Sequence, residues 1–375
     1  MIHKTIDKTA EETAGAASKI SGKITSKISG RITSKISGKI IDTQNPNELR
    51  TGVMHKKSSK QSLKIFEDQK LNYKKEINFY KMHGLGNDFI FINKNQLNLL
   101  PKQNLSTDEI AFLSHRRLSI GCDQLIIFEH LSRTEFNDQF NEHGSKIKQE
   151  KAKNEIESRA TCENIVLLKI YNQDGTEAEM CMNAVRCLSH LMKYLHDFDS
   201  LEVVINNVIV STTFDRNTGL SKVTLGMPIQ MMELNEQINL QLSSYGLKLK
   251  YSGYMNVGNP HLVLVMEDDV GIDQNMIGLE LSKHKMFPKG VNVGFAKVLD
   301  QHNVQLVVYE RGAGLTLSCG SGAAAAFAFL NNLGFVRNET SIKFEYGDLK
   351  FKNNQDNTIS VSGPTCIAFN GTILI

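Results

Sequence analysis

The sequence predicts an α/β (α+β) protein made of two similar halves, each a set of short strands wrapped around one helix. Two stretches carry this expectation. In Val308 to Phe327, VYERGAGLTLSCGSGAAAAF, an apolar strand runs through a glycine-spaced turn into Cys319 and then a run of helix formers. In Asn172 to Leu188, NQDGTEAEMCMNAVRCL, a strand again runs through a turn into a cysteine, Cys181, at an expected helix start. The cysteines are 138 positions apart, a spacing that suits a repeated half-structure with both halves facing one cleft. A helix start presents unpaired N–H groups and the positive end of a dipole, so a thiol there is expected to have its thiolate favoured. Bare glycine amides beside it, as at Gly320 and Gly322, suit an anion.

The elements follow in order. Residues 1–76 stand apart from the fold and read as a disordered, low-complexity basic extension and linker. Ile20, Ile24, Ile28, Ile32, Ile36 and Ile40 recur every fourth position, so an apolar line would wander around a helix, and Gly22, Gly30 and Gly38 weaken it. INFYKMHGLGNDFIFIN, from Ile77, alternates as two strands around a glycine turn, with Gly84 and Gly86 supplying the tight backbone. Residues 106–118 read as a helix capped by Ser106 or Thr107, and Ile120 to Phe128 as a buried strand. Residues 132–164 are charged and read as a solvated insertion between strands. Ile165 to Tyr171 is a strand leading into the Cys181 helix, and Leu201 to Phe214 gives two more.

Near Gly226 the pattern restarts. Strands are expected at 253–257, 262–266, 290–295, 305–310 and 341–361, with a helix around Asp273 to Lys285. The domain reading is therefore 77–225 plus 365–375 for the first half and 226–364 for the second.

Composition narrows the function. The 375 residues are 41% hydrophobic and 22% charged, ordinary for a globular protein, and no apolar run approaches the about 18 residues that span a bilayer. Residues 1–76 hold 16 Lys/Arg and 8 Asp/Glu, whereas 77–375 hold 27 and 32, so the body offers no basic field for nucleic acid. Six cysteines without a CxxC, and histidines without HxxxH or HExxH, point away from disulfides and zinc and towards the cytosol. Cys122, Cys162, Cys187 and Cys366 read as buried small hydrophobes, His83 and His115 as structural histidines, and Arg186 as a structural ion-pair partner.

Six segments, HGLGNDF (83–89), GCDQ (121–124), NQDGTEAEMCMNAVRC (172–187), GNPH (258–261), FPKGVNVGF (287–295) and ERGAGLTLSCGSGAAA (310–325), resemble the signatures of the diaminopimelate epimerase family in the family's order. The resemblance covers 77–375. It implies two pseudo-symmetric domains, each a mixed, mostly antiparallel sheet curled around a central helix, with the C-terminal strand returning to the first domain. It also implies a cofactor-independent enzyme that interconverts LL- and meso-2,6-diaminopimelate in lysine and peptidoglycan biosynthesis, as a homodimer; a cytoplasmic location and no metal, nucleic-acid or membrane partner are the expectations from composition above.

By the same resemblance Cys181 and Cys319 are the two acid–base groups, and His261 and Glu310 tune their pKa values. Asn87, Gln124, Asn172, Met182 and Asn183 line the site from the first half. Asn259, Asn292, Glu310, Arg311, Gly320 and Ser321 line it from the second, with Arg311 suited to the distal carboxylate and Glu310 to an ammonium group. Met182 and Ala184 stand where the family usually has glycine, and a left-handed backbone at 182 would cost a methionine about 1–2 kcal/mol. Two other readings stay open: a racemase of another amino acid on the same fold, and a non-catalytic amino-acid-binding homologue.

Overall fold

The computed structural model describes residues 76–375 apart from 99, 101–102, 143–162, 179, 207, 227, 233, 235–237, 239–241 and 268–270. The chain divides into units Met1–Leu63 and Lys64–Ile375, and every described residue belongs to the second. The isoleucine repeat, most of the charged segment 132–164 and Cys162 lie outside the described residues.

The first half begins with β1 (Glu76–Gly84) and β2 (Asn87–Asn93). Leu85 (φ 54°) and Gly86 (φ 88°) form their two-residue turn, both left-handed as a tight hairpin requires. Gly84 is not left-handed and serves a different end: a Cβ there would stand 3.1 Å from the Arg186 guanidinium. After α1 (Lys94–Leu97), α2 (Thr107–Ser114) starts with a capping box between Ser106 and Glu109. It stops short of 118 because the chain turns at His115, whose Nδ1 accepts from the amides of Arg117 and Leu118. Next come β3 (Gln124–Ser132), α3 (Arg133–Glu142), β4 (Asn164–Asn172) and α4 (Met182–His196). The segment expected to be wholly solvated thus opens with a helix, and its Phe136 is buried beside Leu131, Ile165, Val204 and Ile209. β5 (Ser200–Ile205), β6 (Val208–Asp215) and β7 (Leu220–Gly226) complete this half.

The second half comprises β8 (Ile229–Met232), β9 (Leu249–Asn256), β10 (Pro260–Met266), α5 (Gln274–Ser282), β11 (Asn292–Asp300) and β12 (Asn303–Glu310). The short β13 (Gly314–Thr316), α6 (Gly320–Asn332), β14 (Glu339–Phe344), β15 (Gly347–Asn353) and β16 (Thr358–Gly363) follow. β17 (Cys366–Leu374) returns to pair antiparallel with β1.

All seventeen strands form one sheet, and its pairings repeat. In the first half β17 and β1, β1 and β2, and β3 and β4 are antiparallel, while β2–β3 and β4–β5 are parallel and β5, β6 and β7 continue antiparallel. β8 and β9, β9 and β10, and β11 and β12 repeat the antiparallel pairs, with β10–β11 and β12–β14 parallel and β15 and β16 closing the series. The halves join through the equivalent strands β7 and β16. In both, the helix that follows a cysteine lies in the connection between the strands of the second parallel pair, β4 to β5 and β12 to β14.

α6 is apolar almost all round, as a helix enclosed by a sheet must be, whereas α4 buries Asn183, Arg186 and Ser189 among its apolar residues and turns Tyr194 and His196 to solvent. Met182 to Ser189 of α4 and Ala323 to Leu330 of α6 are buried, and both helices share one core with Met82, Phe89, Phe128, Val308 and Phe351. No helix among the described residues is long and apolar enough to cross a membrane.

Candidate active site

The repeated pairing brings one set of strand ends together. β2 starts at Asn87, β3 at Gln124, and β4 ends at Asn172, while β10 starts at Pro260, β11 at Asn292, and β12 ends at Glu310. Gln124 is paired with Asn172 across the ladder and donates to its Oδ1 at 3.3 Å. His261 is likewise beside Asn292.

Cys181 and Cys319 occupy the residue before α4 and α6 with closely similar extended backbones (φ −139°, ψ 106° and φ −128°, ψ 107°). The two helix starts abut. A Cβ on Gly320 would lie 3.0 Å from Asn183 Oδ1 and 3.1 Å from Met182 Cβ, so glycine there permits the approach. Met182 itself is buried in the helix with no left-handed φ, so the backbone cost anticipated at this position does not arise. Asn183 does not cap α4. Its Nδ2 donates to Asn87 Oδ1 (3.1 Å) and to Ser318 Oγ (3.3 Å), and the Ser318 hydroxyl donates to Gly84 O (3.0 Å). The Cys181 thiol reaches Asn87 Oδ1 at 3.8 Å, and Asn87 is anchored on Asp123 at 2.9 Å.

On the other side, Cys319 Sγ accepts from the Gly322 amide (3.3 Å) and lies 3.5 Å from Ser321 Oγ. The Glu310 carboxylate accepts from Thr316 Oγ1 at 2.6 Å, and its charge acts on the Cys319 thiol. Asn259 joins Ser321 (3.3 Å) to His261 (3.0 Å), and Asn292 contacts His261 Nε2 at 3.5 Å. Asn292 Oδ1 accepts from the Arg311 amide at 2.9 Å, while the Arg311 side chain is exposed and donates to Lys289 O.

Electrostatics correct one expectation. Burial pushes the Cys181 thiol up to about 12, and the Ala184 and Asn183 amides and Arg186 only partly offset it. Burial also pushes Cys319 well above its ordinary value, with Glu310 and Cys181 adding to the rise. Desolvation therefore outweighs the helix dipole, and both sulfurs rest as thiols. Burial raises the Glu310 carboxyl, against the hydrogen bond from Thr316. His261 is pulled down to about 3 by burial and then by Arg311, so it is a neutral imidazole, joined to Cys319 only through Asn259 and Ser321.

Several residues escaped the sequence reading. Ser318 and Thr316 are polar neighbours of the second cysteine motif, and Asp123 sits beside Gln124 in GCDQ; each gave a signal of proximity but none of partner. Arg186 is not an ion-pair residue: it is fully buried, and its three guanidinium nitrogens have no hydrogen-bond partner among the described residues. Cys366 is exposed rather than buried, whereas Cys122 and Cys187 are buried as expected.

The arrangement presents two thiols, each at a helix mouth, among amides, asparagines and one carboxylate. Such a set can move a proton off one face of a carbon and return one to the other. The family model for diaminopimelate epimerase matches residues 79–229 and 253–366. A diaminopimelate epimerase of Rickettsia massiliae is 32% identical over 296 residues, which is 78% of this chain and 96% of the relative. One from Rickettsia bellii is 33% identical over 299 residues, 79% of this chain and 97% of its own. Among solved structures, a predicted epimerase from Pseudomonas aeruginosa shares the fold with a TM-score of 0.56 at 11% identity, over 80% of this chain and 99% of its own. A PhzF-family phenazine biosynthesis protein from Enterococcus faecalis gives 0.54 at 11%, over 80% and 100%. With a family match across both halves and relatives 32–33% identical over nearly their whole length, the chain belongs to the diaminopimelate epimerase family, enzymes of the isomerase class in lysine biosynthesis.

Proposed function

We propose that this chain interconverts LL- and meso-2,6-diaminopimelate by a two-base proton transfer at Cα, with Cys181 and Cys319 on opposite faces of the carbon. The observation that carries the reading is the abutment of two matching cysteine-started helices, with Gly320 against Met182 and Asn183. For turnover one of the two resting thiols first gives up its proton to solvent; that thiolate removes the proton from Cα while the other cysteine, as thiol, delivers one to the opposite face, and the pair exchanges roles in the reverse direction. The developing negative charge on the substrate faces two sets of helix-start amides, fixed in place before reaction, in a site where burial strengthens them. Glu310, whose charge acts on Cys319, can accept from the substrate ammonium once it arrives. His261 acts through Asn259 and Ser321, as a neutral group that orients the Cys319 side.

Asn87, Asn183 and Gly320 surround the approach of the two sulfurs, and Gln124, Asn172, Asn292 and Arg311 form the outer rim that receives the distal amino-acid end. Helical Met182 and buried Ala184 leave the α4 start intact, which supports turnover over a merely binding homologue. The test is solvent deuterium incorporation at Cα of diaminopimelate. Exchange by the wild-type chain, abolished in Cys181→Ser and Cys319→Ser, is the expected result. Tight binding without exchange points instead to the binding homologue, and exchange of a monocarboxylic amino acid alone points to a different racemase.

The same reading includes a cytoplasmic homodimer. The five described cysteines are all free, which suits a reducing compartment. β17 is paired on one side only among the described strands, and Phe369 on it is 51% exposed beside a cavity of about 520 Å³ lined by Leu85, Leu317, Tyr346 and Cys366. Sedimentation velocity is expected to show a dimer that Phe369→Asp converts to monomer; a wild-type monomer would sink this part.

A further inference from the structure

A guanidinium in a protein interior is normally met by a carboxylate or a cage of carbonyls, because an unmatched buried charge costs several kcal/mol. Arg186 departs from this. It has no exposed surface, and Nε and both terminal nitrogens lack a hydrogen-bond partner among the described residues. The slot is nonetheless shaped to hold it. A Cβ on Gly84 would stand 3.1 Å from one terminal nitrogen, so glycine there leaves room for the planar group; Gly363 also lies against it, where a Cβ would make an ordinary 3.5 Å contact with Nε but would collide with Leu349 at 2.5 Å. The Gly84 wall is itself part of the clamp at the cleft, because its carbonyl accepts from Ser318, which in turn accepts from Asn183.

A retained, unmatched cation calls for an anion that appears during the working cycle. Arg186 lies in the helix that Cys181 starts, five positions along; burial disfavours its charge, and the sulfurs of Cys187 and then Cys181 act against that. Cys187 is sealed in the core, where no substrate proton reaches it. Cys181 is half-buried and, on the two-cysteine reading, is a sulfur that exchanges a proton with substrate. The other ionisable groups acting on Cys181 oppose its thiolate: Glu310 from β12 raises its pKa, and Cys319 carries a like charge when ionised.

We propose that Arg186 is a positioning residue for proton transfer, its guanidinium held between Gly84 and Gly363 as the buried counter-charge of the Cys181 thiolate. It touches no substrate; it makes the thiolate accessible in a site that otherwise disfavours it. The proposal rests on the two-cysteine reading above but is tested on the sulfur rather than on turnover, so that the two can fail separately.

The experiment follows alkylation of individual cysteines by iodoacetamide in the full chain at pH 8, read by peptide mass spectrometry. In Arg186→Gln the Cys181 rate is expected to fall about tenfold, equivalent to one pKa unit, with Cys319 within about twofold of wild type and Arg186→Lys recovering most of the loss. A Cys181 rate unchanged in folded Arg186→Gln, or an equal fall at both cysteines, overturns the proposal. Should Arg186→Gln not fold, a second readout leaves position 186 untouched. The Nε–H resonance of the buried guanidinium is expected to differ between Cys181→Asp and Cys181→Asn, a fixed charge and its neutral counterpart. A resonance that ignores that pair but follows the same pair at Cys187 assigns the counter-charge to the wrong sulfur and likewise overturns the claim. Failure of wild-type deuterium exchange, by contrast, counts against the epimerase reading alone.

Discussion

Replacing Asp88 by asparagine removes the hub of the ion network under the first hairpin. The Asp88 carboxylate bonds Arg116 at 2.6 and 2.8 Å and Lys81 at 2.6 Å, and its side chain is 15% exposed. Burial works against the charged form, yet the hydrogen bonds from Arg116 and Lys81, with their charges, hold the pKa at about 2 instead of 3.8. A depression of nearly two units corresponds to about 2 kcal/mol of stability at neutral pH. Losing the carboxylate also strands the Lys81 ammonium, 10% exposed, with the Gly121 carbonyl as its remaining partner, so the total is expected at about 2–4 kcal/mol. The sign follows from linkage. The folded-state pKa is depressed, so the contribution is fully present above the unfolded value near 4 and is lost as pH falls through about 2. Urea denaturation of wild type and Asp88→Asn, stepped from pH 7 to pH 3, is expected to show a gap that is constant down to about pH 4–5 and roughly halved at pH 3. A gap independent of pH, or one below about 0.5 kcal/mol at pH 7, refutes the reasoning.

Two further substitutions probe the cleft. Gly320→Ala places a methyl 3.0–3.1 Å from Asn183 Oδ1 and Met182 Cβ, so the helix starts must part by a few tenths of an ångström; turnover is expected to fall about tenfold with at most about 1–3 kcal/mol lost in stability, and an unchanged kcat contradicts the close-approach argument. Glu310→Gln removes a negative charge that raises both thiols, so Cys181 and Cys319 are expected to alkylate faster at pH 8 while epimerisation falls; slower alkylation at either sulfur would show that the sign is wrong.

What the sequence made legible was local. The Leu85-Gly86 hairpin, the Ser106–Glu109 capping box and the two cysteine helix starts depend on neighbours within a few positions, and composition alone announces them. The bond from Ser318 to Gly84 spans 234 positions, and nothing local marks either residue as its partner. The elevated thiols were hidden for the same reason. The dipole at a helix start is visible in the chain, but the desolvation that overrides it comes from strands far away in sequence. Arg186 and Cys366 were misjudged because burial, which decides whether a charge is paired or a thiol enclosed, belongs to the assembled sheet.

The seam between the halves has a consequence for alignment. β7 and β16 pair in register from Gly226–Thr358 to Ser221–Gly363, with no bulge between. Side chains alternate along a strand, so a slip of a single step there would turn every inward residue of one strand to the opposite surface. That seam lies far along the chain from either sulfur, yet it keys one lobe to the other much as the teeth of two meshed racks fix their travel. Evolution at the cleft is therefore free to vary lip residues, but insertions or deletions within those six paired rungs should be rejected even where no reactive group is near.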